Sequence, residues 1–208
     1  QRVSINLLFE QIQSLLQDPN PRSIIGIVGK PGAGKSTVVS EIEKRFDSSQ
    51  VSVIPMDGYH LSNEELISLN RRDRKGAPDT FDTQSFISLI TKVKNSPDLE
   101  HRFPIFHREI EASKADEGFV QSGVKVIVVE GNYLFSEEHN WQGVFPLLDH
   151  TWFIEIADEV RIERLIARHI RYGKTPEDAE NWSRGSDEAN ARFIELTAHR
   201  AVGTIKLI

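Results

Sequence analysis

The run Gly29 to Ser36 reads GKPGAGKS and stands between SIIGIVG, which is short, apolar and β-branched, and STVVSEIEKRF, where Val38, Val39, Ile42 and Phe46 share one helical face. It satisfies G-x-x-x-x-G-K-[ST] in full, in the strand-to-helix context that the pattern needs. Glycines let the backbone curl so that successive N–H groups face a phosphate, and the helix that follows adds the positive end of its dipole. Lys35 is expected to reach the β- and γ-phosphates and Ser36 to hold Mg²⁺. The bland alternative is a glycine turn without a ligand; the flanking strand and helix favour nucleoside triphosphate binding.

The rest of the chain alternates in the same way. Val3, Leu7, Leu8, Ile12, Leu15 and Leu16 recur at helical spacing until DPNP stops them. VSVIPM and VKVIVVE read as buried strands, HTWFIEI as another, and DEVRIERLIARHIRYG as a charged helix. A helix starts at Pro176, and GTIKLI fits an edge strand. Between Asp57 and Phe119 the pattern loosens, with a helix expected at DTQSFISLITKV and a hairpin around HRFPIFHREI. Continuous apolar strands separated by helices predict a three-layer α/β fold with a mostly parallel sheet covered on both faces. With 208 residues, the chain is expected to be one domain, 1–208. Ligands in such sheets bind at the carboxyl ends of the strands, which here carry Gly29, Asp57 and Glu130.

Charge and composition remove several classes. Lys plus Arg number 25 against 31 Asp plus Glu, a net charge of −6 that argues against nucleic acid or an anionic membrane as partner. No apolar run nears the ~20 residues needed to span a bilayer. The absence of cysteine excludes disulfides and a Cys-based zinc site. A cytoplasmic setting is expected, and the amphipathic first helix could pack on the sheet or on a second subunit, which leaves a homodimer open.

A phosphate loop serves kinases, switches and motors alike, so the other strand ends must decide. No N-K-x-D or LSGGQ-like segment is present. Asp57 follows VSVIPM directly and is placed to act as a base, or merely to cap a turn; Tyr59 and His60 add aromatic and polar surface beside it. Glu130 ends VKVIVVE, where it could hold Mg²⁺ through water or orient an acceptor, with Asn132 and Tyr133 at the same mouth. Arg161, Arg164, Arg168 and Arg171, with Lys174 beyond, share a helical face: either a lid over a transferring phosphoryl group, at about 161–185, or a solvated face paired to Asp158, Glu159 and Glu163. The run RRDRKGAPDTFD could receive an anionic acceptor or be a solvated loop, and His107 and Arg108, after the aromatic-proline stretch FPIF, could face the acceptor or be an unremarkable pair.

Taken together, GKPGAGKS, PMDGYHLS, KGAPDTFD, FPIFHRE, VVEGNYLF and RIERLIARHI resemble, in order from about Ile24 to Arg200, the P-loop kinases grouped with uridine kinase, phosphoribulokinase and bacterial type I pantothenate kinase. The bacterial branch called nucleoside/nucleotide kinase-like or fructose kinase-like is the nearest in pattern. The resemblance implies an ATP-dependent small-molecule kinase that moves the γ-phosphoryl group of MgATP to a hydroxyl of a sugar, nucleoside or related metabolite. It implies Asp57 as acceptor-activating base, with Lys35 and Arg168 completing the catalytic set. The nucleotide would lie on Gly29, Lys30, Pro31, Gly32, Ala33, Gly34, Lys35, Ser36 and Thr37, with lid residues Arg164 and Arg168. Ser36 and Glu130 would serve the metal, and Asp57, Tyr59, His60, Asp79, Phe81, Asp82, Arg108, Glu130 and Asn132 the acceptor. Ala77 stands where uridine kinases carry a histidine, which weakens uridine as the acceptor. The rival reading is a regulatory P-loop ATPase or nucleotide switch without a small-molecule acceptor.

Overall fold

Apolar runs of five to seven residues make up most of one parallel sheet in the computed structural model, which describes residues 5–207. Its strands are β1 (Ser23–Gly29), β2 (Val51–Pro55), β5 (Val126–Glu130), β6 (His150–Glu155) and β7 (Gly203–Lys206), in the order β2-β5-β1-β6-β7. Every neighbouring pair is parallel. The helices are α1 (Ile5–Gln17), α2 (Lys35–Arg45), α3 (Asn63–Ser68), α4 (Thr83–Asn95), α5 (Asp158–Arg171), α6 (Pro176–Arg184) and α7 (Ser186–Glu195). Outside the sheet, β3 (His101–His107) and β4 (Ala112–Val120) form an antiparallel hairpin.

Alternation along the strands divides the core in two. Ile24, Val28, Ile127, Val129 and Phe153 face one apolar cluster with Phe86 and Ile90 of α4 and Ile194 of α7. Ile25, Ile27, Val126, Val128 and Ile154 face the other, with Leu8, Phe9 and Ile12 of α1 and Val38 and Ile42 of α2. Both faces are covered, which is why the strands read as continuous apolar runs. Helix α1 therefore packs on the sheet; Val3, assigned to it by periodicity, lies outside the described residues, as does Ile208. No helix among the described residues is long and apolar enough to cross a membrane.

Three features were not read in advance. The second hairpin strand runs on through Val120, beyond the segment singled out. A capping box, Ser62 with Glu65, starts the short α3. The helix that begins at Pro176 ends at Arg184, and Gly185, at φ −97° and ψ −93°, separates it from α7.

One buried cation ties the hairpin side to the sheet. Arg22 donates to the carbonyls of Val124 and Val93 (both 2.8 Å) and Pro97 (3.0 Å). Because charged donors to buried carbonyls are costly to remove, Arg22→Met is expected to lower unfolding free energy by about 3 kcal/mol. Urea denaturation checks this, and a loss below about 0.5 kcal/mol would assign those carbonyls no dependence on Arg22.

Candidate active site

The loop from β1 to α2 begins as Lys30 leaves the sheet. Gly32 (φ 79°) and Gly34 (φ 96°) take the left-handed backbone that the curl requires, and Gly34 caps α2. A Cβ on Gly32 would come within 2.8 Å of the Arg161 carbonyl, so α5 lies directly against the loop. Arg161 is fully buried and makes that packing tolerable. Its Nε donates to Asp158 (2.9 Å), and its other nitrogens reach Glu188 and the Pro31 carbonyl.

The four arginines therefore divide. Arg161 is a strut beneath the phosphate loop, Arg164 and Arg168 line the cleft, and Arg171 is exposed outside it. The pairing foreseen with Asp158 holds for Arg161; its second partner, Glu188, comes from α7.

Lys35 is the centre of the cleft. Its Nζ donates to the Gly29 carbonyl (2.8 Å) and Asn132 Oδ1 (2.6 Å) and stands 3.8 Å from Glu130. Burial lowers its pKa, with Glu130 and Asp57 opposing the shift. Lys30, by contrast, turns its side chain away to Asp158 (2.8 Å) and Glu195 (3.5 Å), and Ala33 is in the core.

Register brings the carboxylates together. Pro55 of β2 and Ile27 of β1 both pair with Glu130 of β5, so the turn after β2 opens beside the phosphate loop. That turn, Met56–Tyr59, is a single 3-10 turn that presents Asp57. Arg108, from the hairpin, donates to Asp57 Oδ2 at 2.7 Å. Burial alone would raise the Asp57 pKa, but Arg108, His60, Lys35 and Arg168 outweigh it and hold the group below the usual carboxylate range. For Glu130 the balance goes the other way: burial, helped by Asp57, raises it despite Lys35 and Arg108. Asp57 is thereby held ionised, while burial favours the protonated form of Glu130 until a cation joins it.

His60 donates from Nδ1 to the Asp57 carbonyl (2.7 Å), and burial lowers its pKa. Its ring lies between Phe81 (4.1 Å) and Phe106 (4.6 Å). The loop Lys75–Pro78 that faces them is held by Tyr133 Oη on the Gly76 carbonyl (2.6 Å) and Trp141 Nε1 on the Pro78 carbonyl (2.8 Å).

The structure thus gathers Pro31, Gly32, Gly34, Lys35, Ser36, Thr37, Asp57, His60, Phe81, Arg108, Glu130, Asn132, Arg164 and Arg168 around one cleft of about 370 Å³. It does not bring Tyr59, Asp79, Asp82, His107 and Tyr133 there, nor Gly29, Lys30 and Ala33 of the phosphate loop. His107 pairs with Glu117, and Tyr133 is buried. Tyr59 packs edge-on against Phe86, and burial raises its pKa. Asp79 is taken by Arg74 through both oxygens (2.5 and 2.7 Å). Asp82 is the N-cap of α4, accepting from the Ser85 N–H.

Phe106 and Glu111 of the hairpin, and His169, Tyr172, Trp182, Asp187 and Asn190 of the α5–α7 region, line the cleft without having been singled out. Trp182 carried a readable signal, an indole in the polar helix PEDAENWSR, and Lys174 lies 4.2 Å over its ring. His169, which meets Asp187 at 2.7 Å, carried none.

No three His, Cys, Asp or Glu residues among those described are grouped to cage a metal. The oxygen donors present, the Ser36 hydroxyl and the Glu130 carboxylate, are the hard kind that Mg²⁺ accepts alongside substrate phosphates.

Comparison with known proteins agrees with this geometry. The profile of the phosphoribulokinase / uridine kinase family matches residues 24–201. A Schizosaccharomyces pombe protein, provisionally named a uridine kinase, is 32% identical over 202 residues, covering 92% of this chain and 86% of its own. A uridine kinase of Clostridium tetani is 31% identical over 153 residues, covering 71% and 68%. A solved Silicibacter structure, provisionally named a fructose transport system kinase, superposes with a TM-score of 0.87 at 29% identity, over 97% of this chain and 98% of its own.

Proposed function

Because this chain belongs to the phosphoribulokinase / uridine kinase family, a family of ATP-dependent kinases with hydroxyl acceptors, we propose that it phosphorylates a small polyol, with Asp57 as the base. A sugar ranks first among acceptors, a nucleoside next, then pantothenate or a phosphorylated sugar. The observation that carries the reading is the position of Asp57: ionised, held by Arg108, and in the same cleft as Lys35 and the phosphate loop.

The triphosphate lies along the backbone of Gly29 to Thr37 with Lys35 on its β- and γ-oxygens. Ser36 and Glu130 would hold Mg²⁺, which would neutralise phosphate charge when bound. The acceptor oxygen attacks the γ-phosphorus as the bond to the β–γ bridging oxygen breaks, and the hydroxyl proton passes to Asp57. Arg164 and Arg168 stabilise charge spread over the transferring group and, with α6, form a lid over about 161–185 that excludes water. Residues 57–119 shape the acceptor side, all within one domain.

ADP release from MgATP, measured against fructose and other sugars, uridine, cytidine, pantothenate and sugar phosphates, is expected to rise with one acceptor class. Turnover indifferent to every hydroxyl compound would replace this reading with that of an ATPase or nucleotide switch.

A further inference from the structure

The cleft is lined by seven Lys and Arg residues against four Asp and Glu, on a chain whose net charge is −6. In the reading above, which this inference rests on, the triphosphate accounts for Lys35, Arg164 and Arg168, and Lys174 stands apart with Trp182. The remaining cations are Arg72, Lys75 and Arg108, set around Asp57 and Glu111 on the acceptor side.

Their pairing is incomplete. Arg72 meets Glu111 at 2.5 Å and Arg108 meets Asp57 at 2.7 Å. Lys75 Nζ donates only to neutral oxygens, Asn63 Oδ1 (2.8 Å) and the Glu111 carbonyl (2.6 Å), and no carboxylate among the described residues makes an ion pair with it. Burial lowers its pKa, with Glu111 only partly opposing, so the ammonium sits where an anion would favour it. Arg108 gives one donor to Asp57 out of the five on a guanidinium fork.

These two cations flank one ring. Lys75 Nζ is 5.3 Å and Arg108 Cζ 5.9 Å from the Phe106 centroid, and the His60 ring continues that platform. The remaining arginines of the run do not contribute, since Arg71 and Arg74 are both spent on Asp79.

We propose that the phosphoryl acceptor is an anionic hydroxyl compound, bearing a phosphate or carboxylate group that Lys75 and Arg108 hold above Phe106. The same Arg108 touches Asp57, so anchoring the anion there brings a nearby hydroxyl to the base. A neutral polyol would leave Lys75 uncompensated, which is the specificity device: a charged donor set rejects the analogue that lacks its partner.

The test compares kcat/KM in matched pairs: fructose with fructose 6-phosphate, glycerol with glycerate and with glycerol 3-phosphate, and uridine with uridine monophosphate. The anionic member of at least one pair is expected to be favoured by roughly tenfold or more, the size of one charge-assisted contact, and the phosphate and carboxylate arms identify the group. Lys75→Gln is expected to raise the acceptor KM by about the same factor with the KM for ATP unchanged, and Lys75→Arg to restore it. Neutral members used as well as or better than their anionic partners, or a Lys75→Gln variant with unaltered selectivity, would overturn the inference while leaving the kinase reading intact. Absence of any acceptor-dependent ADP release would instead remove the kinase reading itself, and this inference with it.

Discussion

Asp57→Asn is expected to lower kcat by roughly two to four orders of magnitude, the usual contribution of a positioned general base, while nucleotide affinity stays within a few-fold. The amide keeps the shape of the carboxylate and can still accept from Arg108, so the turn and hairpin should remain docked. What it cannot do is accept the hydroxyl proton. Steady-state kinetics with the stimulating acceptor, beside calorimetric titration with ATP, separate the two effects. A variant that retains wild-type kcat would show that Asp57 is a turn residue and that the proton leaves by another route.

The second large effect concerns a residue with no side chain. A Cβ on Gly58 would lie 2.0 Å from the Pro104 carbonyl oxygen and 2.8 Å from its carbon, both backbone atoms of β3. Neither can swing aside, so Gly58→Ala must separate the Asp57 turn from the hairpin that supplies Arg108. Overpacking of this kind costs about 1–3 kcal/mol of stability. A displacement near 1 Å costs about a hundredfold in rate when it moves a reacting group. The expected result is therefore a kcat lowered by about two orders of magnitude with the ATP KM little changed, because the added Cβ meets the hairpin and not the phosphate loop. If kcat stays within twofold, the hairpin does not position the base.

The two variants probe different layers of the same site, and the difference bears on what could be read in advance. The phosphate loop was legible because its determinants are contiguous: eight residues, with a strand before and a helix after. The strands were legible because burial on both faces writes unbroken apolar runs such as VIVVE. Asp57 and Glu130 could be placed in one cleft because the ends of neighbouring parallel strands must lie side by side.

The acceptor side was far less readable. Asp79 and Asp82 sit in the expected segment, yet one is held by Arg74 and the other caps a helix, and nothing in the spacing distinguishes those fates from a pocket-lining one. Phe106 and Glu111 enter only because the hairpin folds over the cleft. Along α5, equal helical spacing made Arg161 and Arg168 look alike; contact with the phosphate loop buries the first and leaves the second facing the cleft.

The α/β class, the nucleotide-binding loop and the candidate base can be read along the chain, since each is specified by neighbours in sequence or by a strand end. Tertiary structure alone decided the partners. Arg108 reaches Asp57 across 51 positions, Lys35 reaches Asn132 across 97, and Arg161 is matched by Glu188 from a later helix. Charge pairing depends on distance through space and on exclusion of water, and neither leaves a period in the sequence. That is why the reaction class was visible early, and why the charge of the acceptor side emerges only from the folded cleft.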